Sequence, residues 1–357
     1  MPSLRNAPRK LARAGWRRLK QLVDGQRLSV IDDWVRYMAA HTSEADMKMI
    51  LSEYDDTVPL PAGAAVDLAA DHPRLRQLRA DYRATALPVI VASQWSEERL
   101  EARVNLEYFR GDNLYIWQYR EWPRATVMKY FIFMQHLKQQ DQSGLLAKLG
   151  EDGAFGCWTF RYPGHEAVSR DLLDSANEIQ FLDRHLGVLS QKGLRVLDIG
   201  AGYGRMAYRL SQAATGLRDY CCVDAIAEST FLCEYYLRFR GCLPPARVLP
   251  LPEVDSALKP DSFDLALNIH SFSECTHAAI AWWVERLQRL RVPHLLVVPN
   301  DPLELLSTET DGSKRNFRPL IEQAGYELAV MEPVVKDPAV RELMRNNDHF
   351  FLFHRKG

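Results

Sequence analysis

The sequence predicts an α/β protein: a mostly parallel, doubly wound sheet in the C-terminal part of the chain, preceded by a mostly helical N-terminal domain. Three observations carry this. From residue 194 onward, short apolar runs alternate with segments of helical period. The first run, Leu194-Arg-Val-Leu-Asp-Ile, ends beside an acid and is followed by Gly200, Gly202 and Gly204 at every second position. Residues 27–150 lack the alternation and space their apolar residues as helix faces do.

The elements follow in order. Residues 1–26 carry Arg5, Arg9, Lys10, Arg13, Arg17, Arg18 and Lys20 with no acid before Asp24. They read as a solvated basic tail, or as an amphipathic helix with Leu11, Trp16, Leu19, Leu22 and Val23 on one face, suited to weak contact with an anionic membrane surface. No apolar core follows the basic start, so a secretory signal is not expected. In the second segment, 27–150, Val30, Trp34, Val35 and Met38 suit one helix face, and Met47, Ile50 and Leu51 another. Residues 127–137 are aromatic and apolar and are expected to be buried, while residues 89–91 suit a short strand or a helix end. The third segment, 151–357, is expected to hold strands at 194–199, 220–224, 246–250, 263–268 and 294–299, and helices at 203–214, 227–240, 277–291 and 315–324. Two late runs, 326–330 and 349–354, are expected to complete the sheet.

Bulk properties exclude some functions. With 45 Lys and Arg against 46 Asp and Glu, the chain has no global pull toward nucleic acid, and no basic groove with interleaved aromatics is visible. Six scattered cysteines form no C-x-x-C pair, which fits a reducing, cytoplasmic setting. No apolar run is long enough to cross a bilayer. Oligomeric state is not legible.

The glycine turn points to a nucleotide-like ligand lying against bare main chain. A dinucleotide fingerprint would put its third glycine at position 205, where this chain has Arg205. The spacing is instead D-x-G-x-G-x-G, starting at Asp198. Asp224 ends the second apolar run, Tyr220-Cys-Cys-Val. It is placed to accept hydrogen bonds from two ribose hydroxyls, or to cap the next helix with Glu228 and Ser229 in its first turn. In an open sheet the ligand lies beyond the carboxyl ends of the strands, which selects Asp198, Asp224, Asn268 to His270, and Asn300-Asp301.

The D-x-G-x-G-x-G motif resembles the first motif of class I S-adenosylmethionine-dependent methyltransferases. Further segments extend the likeness: Ala154-Phe-Gly-Cys157; 168–182, Val-Ser-Arg-Asp-Leu-Leu-Asp-Ser-Ala-Asn-Glu-Ile-Gln-Phe-Leu; 228–237, Glu-Ser-Thr-Phe-Leu-Cys-Glu-Tyr-Tyr-Leu; and 265–275, Leu-Ala-Leu-Asn-Ile-His-Ser-Phe-Ser-Glu-Cys. With Phe109-Arg-Gly-Asp-Asn113 and Trp117-Gln118, these look like the bacterial sugar O-methyltransferase family, over roughly residues 105–357. The resemblance implies a Rossmann-like class I methyltransferase sheet ending in an antiparallel hairpin. It also implies S-adenosylmethionine as cofactor and a sugar hydroxyl of a glycan, glycolipid or glycosylated natural product as acceptor. Asp198, Gly200, Ala201, Gly202, Gly204, Asp224, Ala225 and the backbone around Asn268 are the expected cofactor-binding residues. Arg170, with Arg161 as alternative, is expected to meet the cofactor's carboxylate.

A sugar hydroxyl is a poor nucleophile while protonated, so a base is expected. His270 at the fourth strand tip is the first candidate, with Glu274 as its orienting partner or as the base itself, and His277 as a weaker one. His270 in a polar loop and Glu274 as a helix cap are the alternatives. Asp171 and Asp174 are expected either on sugar hydroxyls or as surface acids, and Trp95, Tyr108, Tyr115 and Trp117 either stack on sugar faces or lie in the core. A divalent metal would need acids at the fourth and fifth tips. The fourth offers Asn268 and only Asp301 serves the fifth, so a metal-free site is favoured. Two alternatives remain: a lipid, peptide or phenol as acceptor, or a catalytically silent methyltransferase fold serving as a partner protein.

Overall fold

The computed structural model describes residues 29–41, 43–46, 60–111, 123–301 and 303–356. The basic segment 1–26, the Met47, Ile50 and Leu51 face, and Tyr115 and Trp117 lie outside them.

The sheet has seven strands: β1 Leu194–Ile199, β2 Leu217–Val223, β3 Ala246–Val248, β4 Leu265–Ile269, β5 His294–Val298, β6 Tyr326–Pro333 and β7 His349–Arg355. Their order is β3-β2-β1-β4-β5-β7-β6. The first five are parallel, and β7 enters antiparallel to both β5 and β6. This is the Rossmann-like class I methyltransferase sheet expected from the sequence, with its closing hairpin. Buried on both faces, β1 and β2 read as continuous apolar runs: Val196, Leu197, Tyr220 and Cys221 have no exposed surface. Chain order reverses between β1 and β4, so the two connections leave in opposite directions and open a crevice at their carboxyl ends.

Among the described residues, ten α-helices of six residues or more position the rest: α1 Ser29–Ala40, α2 Pro73–Arg83, α3 Glu97–Arg103, α4 Pro123–Gln140, α5 Arg170–Leu186, α6 Arg205–Ala213, α7 Ala227–Phe239, α8 His277–Leu290, α9 Arg318–Gln323 and α10 Pro338–Met344. Their ends follow local chemistry. Ser169 and Thr276 cap α5 and α8 by accepting from the N–H groups of Leu172 and Ala279. Gly187 closes α5 in the left-handed region. Residues 89–91 form no strand: Val89 and Ile90 end a short 3-10 helix, Pro88–Ile90, and Val91 caps it, since Pro88 cannot donate to a ladder and starts a tight helical turn instead.

The N-terminal helices share one continuous core with the sheet. Helix α1 packs Trp34 and Tyr37 against Phe131 of α4, with ring centroids 5.2 and 4.5 Å apart. Helix α2 lies on α7, where Arg74 and Arg79 pair with Glu234 and Glu228. The buried Tyr82 hydroxyl meets Thr230 Oγ1 at 2.7 Å and accepts from the Leu251 N–H at 3.0 Å.

A fully buried ionic cluster ties the two parts together. Arg110 reaches Glu151 at 2.8 Å and Asp171 at 3.0 Å; Arg209 of α6 reaches the same two acids at 2.7 and 3.3 Å. The Tyr203 hydroxyl, from the glycine turn, also donates to Asp171. Burial opposes ionisation of Asp171, but Arg110 and Arg209 overcome it and hold the carboxyl below its usual range. Asp171 is therefore not a sugar ligand: its oxygens are consumed inside the protein. Replacing it by Asn leaves two buried guanidinium groups facing one acid. Asp171→Asn is expected to lower unfolding free energy by about 3–5 kcal/mol in urea titrations; a loss below ~1 kcal/mol would show the cluster to be wet and weakly coupled.

Candidate functional site

The crevice at the carboxyl ends of β1, β2 and β4 holds the main cleft. Its floor is the turn after β1, with Asp198, Gly200, Ala201 and Gly202. One wall is the tip of β2 and the start of α7, with Asp224, Ala225, Ile226 and Ser229. The opposite wall is the segment after β4, with Ile269, His270, Ser271 and Glu274. Residues 89–93 and Trp95 form a strap across the top.

The glycines have separate reasons. Gly200 (φ 77°), Gly202 (φ 57°) and Gly204 (φ 87°) all lie in the left-handed region. A Cβ on Gly200 would stand 2.3 Å from the Ser271 side chain, so β1 and the segment after β4 meet only because that position is bare. A Cβ on Gly204 would stand 2.9 Å from Cys233 Sγ of α7. Gly204 thus permits helix packing and does not line the cleft, whereas Gly200 and Gly202 do.

Asp224 joins the turn to the second strand. Its carboxylate accepts from the Gly202 N–H at 2.9 Å and from the Ile226 N–H at 2.9 Å. Each oxygen keeps lone pairs for a ligand. Loop tether, local cap and cleft wall coexist in one side chain. Burial raises its pKa to about 6 against these hydrogen bonds. Asp198, buried beneath the turn, accepts from the Tyr220 hydroxyl at 2.8 Å, and burial pushes it up to about 7.

Asn268 has no exposed surface and does not line the cleft. Its amide donates to the Ile199 carbonyl at 2.9 Å and accepts from the Phe272 N–H at 2.8 Å, stitching the tips of β1 and β4 together. His270 follows with φ 66°, a conformation that costs a non-glycine residue roughly 1–2 kcal/mol. Its Nδ1 is buried with no hydrogen-bond partner, while the ring lines the cleft. Burial, then the charges of Arg205 and Arg170, lower its pKa to about 4, against hydrogen bonding of the ring with the Asn300 side chain and the Pro299 main chain. Glu274 accepts from the Trp95 indole at 2.7 Å and faces the Asn300 amide at 3.5 Å; burial raises its pKa. It binds the strap and gives no hydrogen bond to His270. His277 opens α8 with its N–H on Glu309.

Neither Arg170 nor Arg161 lines the cleft. Arg170 pairs with Asp174 one turn on at 3.2 Å. The cleft's cation is Arg205, which donates to Glu178 at 2.7 and 3.0 Å and to Ser175 at 2.8 Å. A cation in the first turn of a helix opposes the helix dipole, and this was the signal in the sequence: Arg205 directly follows the last glycine. Tyr108 packs on Gly156, away from the cleft. Asp301 pairs with Lys314 at 2.7 Å. Among the described residues no group of three His, Cys, Asp or Glu side chains is arranged to hold a metal ion, and no helix is long and apolar enough to cross a membrane.

The arrangement suits a cationic, ribose-bearing ligand. Bare main chain forms the floor, a carboxylate stands at the second strand tip, and the His270 ring lines the opposite wall. Gly200→Ala is expected to lower Tm, and Ser271→Gly in the same chain to restore part of the loss; no restoration would mean the turn, not the contact, sets the cost. NMR of the His270 ring is expected to show it neutral down to about pH 4. Because the unfolded ring takes up its proton near pH 6.5, this group removes stability as pH falls from 6.5 toward 4.

Comparison with solved structures gives distant matches. The [4+2]-cyclase SpnF matches at 14% identity and a TM-score of 0.40, covering 52% of this chain and 83% of that one. An S-adenosylmethionine-dependent methyltransferase from Mesorhizobium loti matches at 16% and 0.37, covering 51% and 99%. One from Aquifex aeolicus matches at 16% and 0.36, covering 62% and 96%. No family model and no curated protein sequence matches the chain. Likeness this remote leaves the fold class to the strand order itself and says nothing of the reaction.

Proposed function

We propose that this protein is an S-adenosylmethionine-dependent O-methyltransferase whose acceptor is a sugar hydroxyl. One observation carries the reading: the Gly202 N–H bonded to the Asp224 carboxylate, at the crossover of β1 and β4, in the same cleft that the His270 ring lines.

The bound cofactor supplies a methyl group on a positively charged sulfur, open to in-line displacement by an oxygen. The chain's residues do the rest. Asp224 offers its remaining lone pairs to the ribose hydroxyls, and Gly200 and Gly202 let the ligand approach main chain. Asp224 brings negative charge to a cation above about pH 6, and Asp198, pushed up to about 7 by burial, adds to it above that pH. Neutral His270, whose ring lines the cleft, would accept the proton that the acceptor hydroxyl loses on methylation. An imidazole with its pKa near 4 is a weak base, so its share falls at the low end of the ~10²–10⁴-fold range for such catalysis, and positioning carries more. Glu274 positions the strap through Trp95. The apolar strap residues Val89, Ile90, Val91 and Ala92 favour, as a second reading, an acceptor with an apolar body.

Calorimetry tests the cofactor: S-adenosylmethionine binds the wild type and not Gly202→Val, and no affinity in the wild type would remove the proposal. Its affinity is expected to weaken as pH falls through about 7 and then about 6, because Asp198 and then Asp224 lose their charge. Labelled-methyl assays across acceptor pools should find a sugar product, insensitive to EDTA. His270→Ala should cost about 10²-fold in kcat, with cofactor affinity unchanged and no inflection in wild-type kcat between pH 6 and 8. EDTA-sensitive turnover restored by magnesium would replace the metal-free account.

A further inference from the structure

A second cleft adjoins the first. The two share Ile90, Ala92 and Trp95 of the strap and Ala225 and Ile226 after β2, so the strap stands between two connected spaces. The second lies between α2, α3 and the start of α7.

Its walls differ from those of the first. Helix α2 sends Arg76, Arg79 and Arg83 into it from one face, at the i, i+3 and i+7 spacing of a helical stripe. Glu97 and Glu101 of α3 and Glu228 of α7 line it from the other sides. Arg79 pairs with Glu228 at 2.8 Å and Arg83 with Glu97 at 2.9 Å. Arg76 and Glu101 line the cleft outside these two ion pairs. Three positive and three negative charges therefore cancel, so no net cation waits for a phosphate. What remains is a set of planar donors and acceptors, two pairs of them held in place by ion pairing, with the Trp95 ring where the two clefts meet.

We propose that this second cleft is the acceptor subsite, and that it takes an uncharged polyol, a neutral sugar or short sugar chain, rather than a nucleotide-linked one. Vicinal hydroxyls match the spacing of guanidinium and carboxylate groups, and the apolar C–H face of a sugar ring matches an indole. Trp95, whose indole N–H is bonded to Glu274, is the junction through which the acceptor reaches the main cleft. The inference rests on the methyltransferase reading for the identity of the transferred group, but not for the ligand class of this cleft.

Saturation-transfer NMR tests it with four neutral probes, the methyl glycosides of glucose, mannose, galactose and rhamnose, and with uridine diphosphate as the charged probe. Measurements are made with and without S-adenosylhomocysteine, so that the second cleft reports independently of the first. Transfer is expected to at least one glycoside and not to uridine diphosphate. Ala80→Trp, which fills the cleft from an exposed position of α2, should reduce the glycoside signal at least fivefold, as should Arg76→Ala combined with Glu101→Ala. Both variants should bind S-adenosylhomocysteine within twofold of the wild type. Absence of any glycoside signal, a signal that survives both variants, or uridine diphosphate binding that is lost with Arg76→Ala would overturn the proposal. Failure of S-adenosylhomocysteine to bind the wild type would count against the methyltransferase reading instead.

Discussion

The site depends on how closely two strand tips approach each other. At the carboxyl ends of β1 and β4, the Asn268 side chain bonds the Ile199 carbonyl and the Phe272 N–H, and the bare Cα of Gly200 sits under Ser271. Chain order reverses here, so the two connections diverge and leave a crevice at the strand tips. A larger residue at position 200 would push the Ser271 segment outward, and His270 with it. The same contact that opens the cleft therefore also aims its imidazole.

Around that contact, the N-terminal region contributes structure as well as cover. Arg110 and Arg209 share Glu151 and Asp171 in an interior without water access, and Tyr203 extends the cluster into the glycine turn. Two cations and two anions balance, which is the condition under which such a buried group is tolerable. On the opposite side Tyr82 bonds Thr230 and Leu251, and the strap is held by Trp95 and Ser93 on Glu274. The turn is thus clamped from behind and roofed from above by parts of the chain distant in sequence. The cleft between them keeps carboxylates at Asp198, Asp224 and Glu274, while its cation, Arg205, is neutralised by Glu178. That balance suits a positively charged ligand.

Much of the sheet was legible in the sequence because its cause is local. Leu194–Ile199 is bounded by its own apolar run and glycine turn, and the later strands and helices agree within a few residues for the same reason. The strand tips were legible because the crevice rule converts strand ends into a site. What was not legible depends on partners far apart in the chain. Asp171 reads as an ordinary acid at a helix start; only the fold brings Arg110 and Arg209 to it. Arg170 and Arg205 are both cations near helix N-termini, and only packing decides which lines the cleft. Asn268 sits at the strand tip as expected, yet its side chain turns to main chain and not to the cleft. The pairing of Glu274 with Trp95 spans 179 positions and has no local signature.

The central claim is geometric: a ribose-bearing sulfur compound lies along the glycine turn, with its sulfur directed to the wall that carries His270. A crystal structure with S-adenosylhomocysteine tests this most directly. The account predicts both ribose hydroxyls on Asp224 and the sulfur facing the His270 wall beneath the strap. A ligand lodged elsewhere, or one whose ribose turns away from Asp224, would contradict it.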